Sequence, residues 1–271
     1  MAGVARNRLD AELVRRKLAR SREHASQLIA AGRVSVGGAL AVKPATQVEK
    51  SAPVVVKADE DDPGYVSRGG HKLAGALAAF GPRGLRLEGR RALDAGASTG
   101  GFTDVLLRAG VAQVLAVDVG YGQLAWSLRN DERVVVKDRT NVRELSLEAI
   151  DGRPVDLVVG DLSFIPLGLV LPALVRCSAP DADLVLMVKP QFEVGRERLG
   201  SGGVVRSTRL RAEAVRTVAG QAAALGLGVL GVTASPLPGP SGNVEYFLWL
   251  RAGAPPLDPA DVDRAVAEGP R

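Results

Sequence analysis

The chain has 271 residues, 46% of them apolar, and a formal net charge of +5 gathered at one end, where residues 1–57 hold 11 Lys/Arg against 4 Asp/Glu. That length allows one large domain and a small one, and a basic module on a near-neutral body points to an anionic partner, nucleic acid before membrane. A single cysteine, Cys177, excludes an internal disulfide, and with only His24 and His71 beside it a Cys/His zinc site is excluded too, so no metal is expected.

In chain order, Asp10 suits the cap of a helix with Leu13, Val14 and Leu18 inward, and Ser21 the cap of a second with Ala25, Leu28 and Ile29 inward and Gly32 as its stop. Val34–Val36 and residues 40–42 flank Gly37-Gly38, a pair suited to a tight hairpin, and Val54–Val56 reads as a closing strand. The exposed basic set is Arg6, Arg8, Arg15, Arg16, Lys17, Arg20, Arg22 and Arg33. Helix hairpin, short strands and the run Leu28-Ile29-Ala30-Ala31-Gly32-Arg33-Val34-Ser35-Val36 resemble the S4 RNA-binding domain. That resemblance implies structured RNA gripped through phosphates and shape. An acidic stretch ending in Pro63-Gly64 reads as a linker.

Beyond it, a helix is expected over about 71–80, then strands near 91–94, 113–118, 133–137, 155–160, 183–188, 227–233 and 244–250, most of them separated by helices. Such alternation predicts a mainly parallel α/β sheet covered on both faces. The last two strands are joined by a Pro/Gly-rich loop with no room for a helix, so they should pair antiparallel. One antiparallel strand near the end of a parallel sheet is the architecture of class I (Rossmann-like) methyltransferases. The expected division is 1–60 for the basic module, 61–67 for the linker, 68–252 for the catalytic domain and 253–271 for a frayed or short helical tail. No apolar run precedes Asp10, and the uncharged stretch from Thr217 to Val244 is too rich in Gly and Pro to span a bilayer. A cytoplasmic protein with no membrane role is expected, with a monomer as the default.

The loop Asp94-Ala95-Gly96-Ala97-Ser98-Thr99-Gly100-Gly101-Phe102 follows a strand and opens a helix, yet it fits neither a dinucleotide fingerprint nor a P-loop. Asp94 would repel a pyrophosphate and attract the ammonium of a methionine moiety, and Asp118, followed by Val119 at the next strand end, can accept ribose hydroxyls. The pair favours S-adenosylmethionine as cofactor. Gly96, Ser98, Thr99, Gly100, Gly101, Phe102, Val119, Asp161 and Phe164 complete the candidate donor site. Phe164 suits either stacking on a base or core packing, while Trp126 and Trp249 read as core.

Lys72, Asp161, Lys189 and Glu245 each stand in a short, distinctive setting, the last three at or beside predicted strands. Two lysines and two carboxylates at one crevice suit proton transfer at a sugar hydroxyl. Lys189 is the candidate to activate that hydroxyl, either as a neutral base or as an ammonium steadying a developing alkoxide. Asp161 would orient it, with Lys72 and Glu245 positioning the ribose.

This tetrad, with Val188-Lys189-Pro190-Gln191-Phe192-Glu193 and Ser235-Pro236-Leu237-Pro238-Gly239-Pro240, resembles the FtsJ-like ribose 2′-O-methyltransferases and, through the fused S4 domain, the TlyA family. Membership implies methylation of cytidine in ribosomal RNA, presented as the RNA or as 30S and 50S subunits. The Asp161-Leu162-Ser163-Phe164 loop lacks the two prolines of amino-methyltransferases, so base N-methylation is the runner-up. A haemolysin and a silent RNA-binding factor are the remaining alternatives. Cys177 lies outside any strand-end loop, which disfavours cytosine C5 chemistry.

Overall fold

The computed structural model describes residues 6–19, 21–57 and 63–270. Two compact units divide the chain, Met1–Gly64 and Tyr65–Arg271. Tyr65–Ser67, expected in the linker, therefore fall in the second unit, where the Val66 amide donates to Asp104 (2.9 Å). The acidic part of the expected linker and Arg20 lie outside the described residues.

In the first unit, β1 (Arg6–Arg8), α1 (Leu9–Arg15) and α2 (Arg22–Ala30) precede β2 (Val34–Val36), β3 (Ala39–Leu40), β4 (Gln47–Glu49) and β5 (Val54–Val56). Ser21 caps α2 as expected, accepting from the His24 amide, and Gly37-Gly38 closes the β2–β3 hairpin with φ of +57° and +84°. β5 pairs with the other edge of β2, while β1 pairs antiparallel with β4, a ribbon the sequence did not announce. Asp10 does not cap α1: the helix starts at Leu9 and Asp10 is buried in its first turn. Leu18 lies past the helix end and is exposed, so Leu9, Leu13, Ala25, Leu28, Ile29, Val34 and Val48 make the core.

In the second unit, α3 (Arg68–Phe80) starts three residues before the expected boundary. β6 (Arg91–Ala95), α4 (Gly101–Arg108), β7 (Gln113–Val117), α5 (Trp126–Arg129), β8 (Val134–Lys137), β9 (Val155–Gly160) and α6 (Leu171–Arg176) follow. Then come β10 (Ser178–Val188), α7 (Pro190–Glu193), α8 (Thr208–Ala223), β11 (Leu227–Ala234), β12 (Tyr246–Ala252) and α9 (Pro259–Glu268). One seven-stranded sheet runs β11-β12-β10-β9-β6-β7-β8, with β12 antiparallel to both neighbours and the remaining pairs parallel. Successive residues serve opposite cores: Val158, Leu184 and Leu186 pack on one face, Leu157, Val159 and Met187 on the other. Burial on both sides is why these strands read as unbroken apolar runs. β10 begins five residues early because its register shifts between Ser178 and Asp183, hiding the strand's start. Of the frayed or short helical tail expected, the structure has the helix: α9 is capped by Asp258, with Val262 and Ala265 buried. Among the described residues, no helix is long and apolar enough to cross a membrane.

Candidate active site

Three strand ends and one helix build the site. Asp161 follows β9, Lys189 follows β10, and Glu245 immediately precedes β12. Because β12 runs backwards, its start lies at the edge where β10 ends: Val188 faces Tyr246 in register, which sets Lys189 beside Glu245. Lys72 enters from the second turn of α3, which can pack tightly because α4 offers glycine there. A Cβ on Gly101 would collide with Ser67 Oγ and sit 2.8 Å from the Gly70 amide.

The tetrad forms two ion pairs. Lys72 Nζ donates to Glu245 Oε2 at 2.5 Å, with the two side chains only 8% and 1% exposed. Lys189 Nζ stands 2.7 Å from Asp161 Oδ1, an ionic contact outside hydrogen-bonding direction, and its directed hydrogen bond goes to Ser163 Oγ, also 2.7 Å away. Ser163 is a site residue that sequence reasoning passed over, although it sits in the quoted Asp-Leu-Ser-Phe loop. Asp161 and Ser163 thus hold the Lys189 Nζ from two sides.

The donor loop lies at the end of β6. Asp94 is fully buried, Thr103 Oγ1 donates to its Oδ2 at 2.7 Å, and its Oδ1 has no partner among the described residues. Burial pushes this carboxyl up to about 7, against the hydrogen bond from Thr103. A buried acceptor left open costs free energy unless a ligand fills it, and a cationic group suits it. Gly100 turns the chain with φ of +97°, and a Cβ there would strike Leu128 and Leu124. Asp118 is tied in from both sides, accepting from the Ser98 amide (2.8 Å) and the Gly120 amide (2.7 Å). Ser98, Thr99 and Val119 are exposed around it, and Gly96 is half-buried.

Phe102, expected in the donor site, is buried in the loop and packs against Phe247 (ring centroids 6.0 Å apart). One aromatic expectation needs correcting: Trp126 is 80% exposed, and only Trp249 is core. Phe164, for which stacking and core packing stood open, is 90% exposed at a φ of +64°, with Phe192 beside it at 5.3 Å. A bulky residue at positive φ is strained, and this backbone holds an exposed aromatic ring beside Phe192, whose own ring centroid lies 6.0 Å from Lys189 Nζ. Cys177 is fully buried, where desolvation raises its thiol pKa, so it is no accessible nucleophile.

In the basic module, Arg6 meets Glu49, Arg8 and Arg22 meet Asp10, and Arg15 meets Glu12. Lys17 is exposed and Arg33 half-buried, its Nε donating to the Lys57 carbonyl. Arg16 departs from the expectation of an exposed contact. Its side chain is 19% exposed and donates to Glu12 and to the carbonyls of Ala52, Glu49 and Lys50, a structural tie.

Comparison with known proteins agrees with this geometry. Residues 65–252 match the FtsJ-like methyltransferase family, and residues 7–54 match the S4 domain. The chain is 60% identical to the 16S/23S rRNA (cytidine-2′-O)-methyltransferase TlyA of Mycobacterium tuberculosis over 98% of its own length and 99% of the relative's. The chain belongs to the TlyA family. A haemolysin name also occurs among the relatives: Hemolysin A of Brachyspira hyodysenteriae is 35% identical over 84% of this chain and 92% of its own. A solved Streptococcus thermophilus protein, likewise named a hemolysin, superposes with a TM-score of 0.77 at 36% identity, covering 98% of this chain and 96% of that one. As a TlyA member with an FtsJ-like domain, the chain is a methyltransferase.

Proposed function

We propose that the protein transfers a methyl group from S-adenosylmethionine to the ribose 2′-hydroxyl of a cytidine in bacterial ribosomal RNA, acting in the cytoplasm as a monomer. The observation that carries this reading is the pair of lysine–carboxylate contacts at one sheet edge, which brings Lys72, Glu245, Lys189 and Asp161 to neighbouring strand ends. The name of the Mycobacterium tuberculosis relative supports the substrate, and the match of residues 7–54 to an S4 domain supports docking on structured RNA in 30S or 50S subunits.

S-adenosylmethionine would bring a methyl group on a sulfonium. Asp94 Oδ1 would take the donor's ammonium, which accounts for a buried acceptor with no partner among the described residues. Asp118 would take the ribose hydroxyls, with Gly96, Ser98, Thr99, Gly100, Gly101 and Val119 forming the cradle. As a neutral amine Lys189 would take the proton of the 2′-hydroxyl as that oxygen accepts the methyl group, while Asp161 and Ser163 hold its Nζ in place. Lys72 and Glu245, joined in a buried pair, fix the wall against which the ribose is oriented. Phe164 offers its face to the base of the target nucleotide.

The test is methyl transfer from labelled S-adenosylmethionine to isolated 30S and 50S subunits, with the product mapped by nuclease digestion and mass spectrometry. The expected product is a ribose-methylated cytidine, formed at least about 10²-fold more slowly by Lys189→Ala at unchanged thermal stability. A methyl group on a base, or no transfer to either subunit, would overturn the reading.

A further inference from the structure

The most basic segment of the molecule contains two carboxylates that are almost entirely hidden. Asp10 is 4% exposed and Glu12 is 0% exposed, both in the first turn of α1. Burying a carboxylate is costly unless charged donors surround it, and here they do. Asp10 accepts from Arg8 Nε and Nη2 (3.1 and 3.0 Å), from Arg22 Nη2 (3.0 Å) and from the Ala11 amide (2.8 Å). Glu12 accepts from Arg15 Nε and Nη2 (2.8 and 2.6 Å), Arg16 Nε (2.7 Å) and Asn7 Nδ2 (2.9 Å). Each acid thus receives four hydrogen bonds, about the number of lone pairs a carboxylate can offer. Arg8 and, for Glu12, Arg15 are the first causes holding these carboxyls well below the usual range.

The two ends of each pair differ in exposure. While the acids are buried, the side chains of Arg8, Arg15 and Arg22 are 46%, 52% and 59% exposed. Arg8 and Arg15 use the Nε/Nη2 edge for the acid, which leaves Nη1 directed elsewhere. An ordinary surface ion pair is weak because both partners are solvated and mobile. These pairs have one end anchored in the unit's interior, so three guanidinium groups on separate turns stand in set positions. A long arginine side chain otherwise loses rotamer freedom on meeting a phosphate.

We propose that Asp10 and Glu12 are positioning residues for RNA, internal clamps that pre-set Arg8, Arg22 and Arg15 for the phosphates of a folded strand. The proposal rests on the ribosomal RNA reading above. It carries an unusual sign. Asp10→Asn or Glu12→Gln removes a negative charge from an RNA-facing module, and bulk electrostatics then predicts tighter binding with a steeper salt dependence. Clamping predicts the reverse.

The experiment uses the full chain with purified 30S and 50S subunits, measuring affinity over a salt series and kcat and KM for methyl transfer. Expected for Asp10→Asn and Glu12→Gln is about tenfold weaker binding and a matching rise in KM for subunits, with kcat unchanged. Because either variant could unfold the small unit, Arg8→Lys, Arg15→Lys and Arg22→Lys are measured as well. They keep the charge at exposed positions but lose the planar fork, and a loss of binding like that of the acid variants is expected. Lysine variants that bind like wild type, or folded acid variants that bind as well or better, would overturn the clamp alone. Wild-type protein showing no salt-dependent binding to either subunit would overturn the ribosomal reading along with it.

Discussion

The seven-stranded sheet carries two fully buried aspartates, Asp183 in β10 and Asp94 in β6, and the two are treated oppositely. Asp183 is surrounded by donors: Trp249 Nε1 (2.6 Å), Arg90 Nη1 (2.6 Å) and the Nε and Nη2 of Arg251 (2.8 Å each). Burial alone would raise its pKa, but these hydrogen bonds outweigh it and hold the group below the usual range. Asp94 is held by Thr103, has one oxygen with no partner among the described residues, and its carboxyl is pushed up to about 7 by burial. Saturation marks the first as architecture, while the open oxygen marks the second as a place for a ligand.

The largest expected effect is at the saturated aspartate. Asp183→Ala strands two arginines and an indole N–H, and a loss of about 3–5 kcal/mol in denaturant unfolding is expected. The folded fraction should keep its donor affinity; a variant that lost affinity while fully folded would erase the distinction between the two aspartates. Next is Asp94, whose pH behaviour has a definite sign. The donor's ammonium needs the carboxylate, so affinity for S-adenosylmethionine should rise about tenfold between about pH 6 and pH 8, until the donor's own amine loses its proton. The donor-free protein should show the opposite trend. Its native state keeps the Asp94 proton above the ordinary value of 3.8, so stability falls as pH rises from there to about 7 and then levels. Calorimetry in buffers of differing ionisation enthalpy reads the proton released on binding, and none released at pH 6 would count against this assignment. The smallest effect belongs to Ser163→Ala, which removes the directed hydrogen bond of Lys189. A drop of about tenfold in kcat with little change in KM for subunits is expected from single-turnover and steady-state rates.

Much of this was legible beforehand, for reasons that differ between elements. The core strands announced themselves because both faces are buried, and the tetrad because each member stands in a short setting at a strand or helix end. What escaped notice depends on partners distant in sequence. Arg6-Asn7-Arg8 has no apolar alternation, so nothing local reveals a strand whose partner is Gln47–Glu49. Asp10 looked like a helix cap because its role is set by Arg22, twelve residues on, and Arg16 looked like an exposed contact because its acceptors lie at 49–52. Trp126 seemed core from apolar neighbours such as Leu124 and Leu128, yet those point inward while it does not.

The reversed direction of β12 also sets a schedule. A chain emerging from the ribosome presents its first 64 residues as a compact unit of their own, able to fold while the remainder is still being made. Lys72, Asp161 and Lys189 appear in turn, but Glu245 arrives only with the strand that slots between β10 and β11. During most of its own synthesis the nascent polypeptide therefore carries a finished basic module and an unfinished sheet.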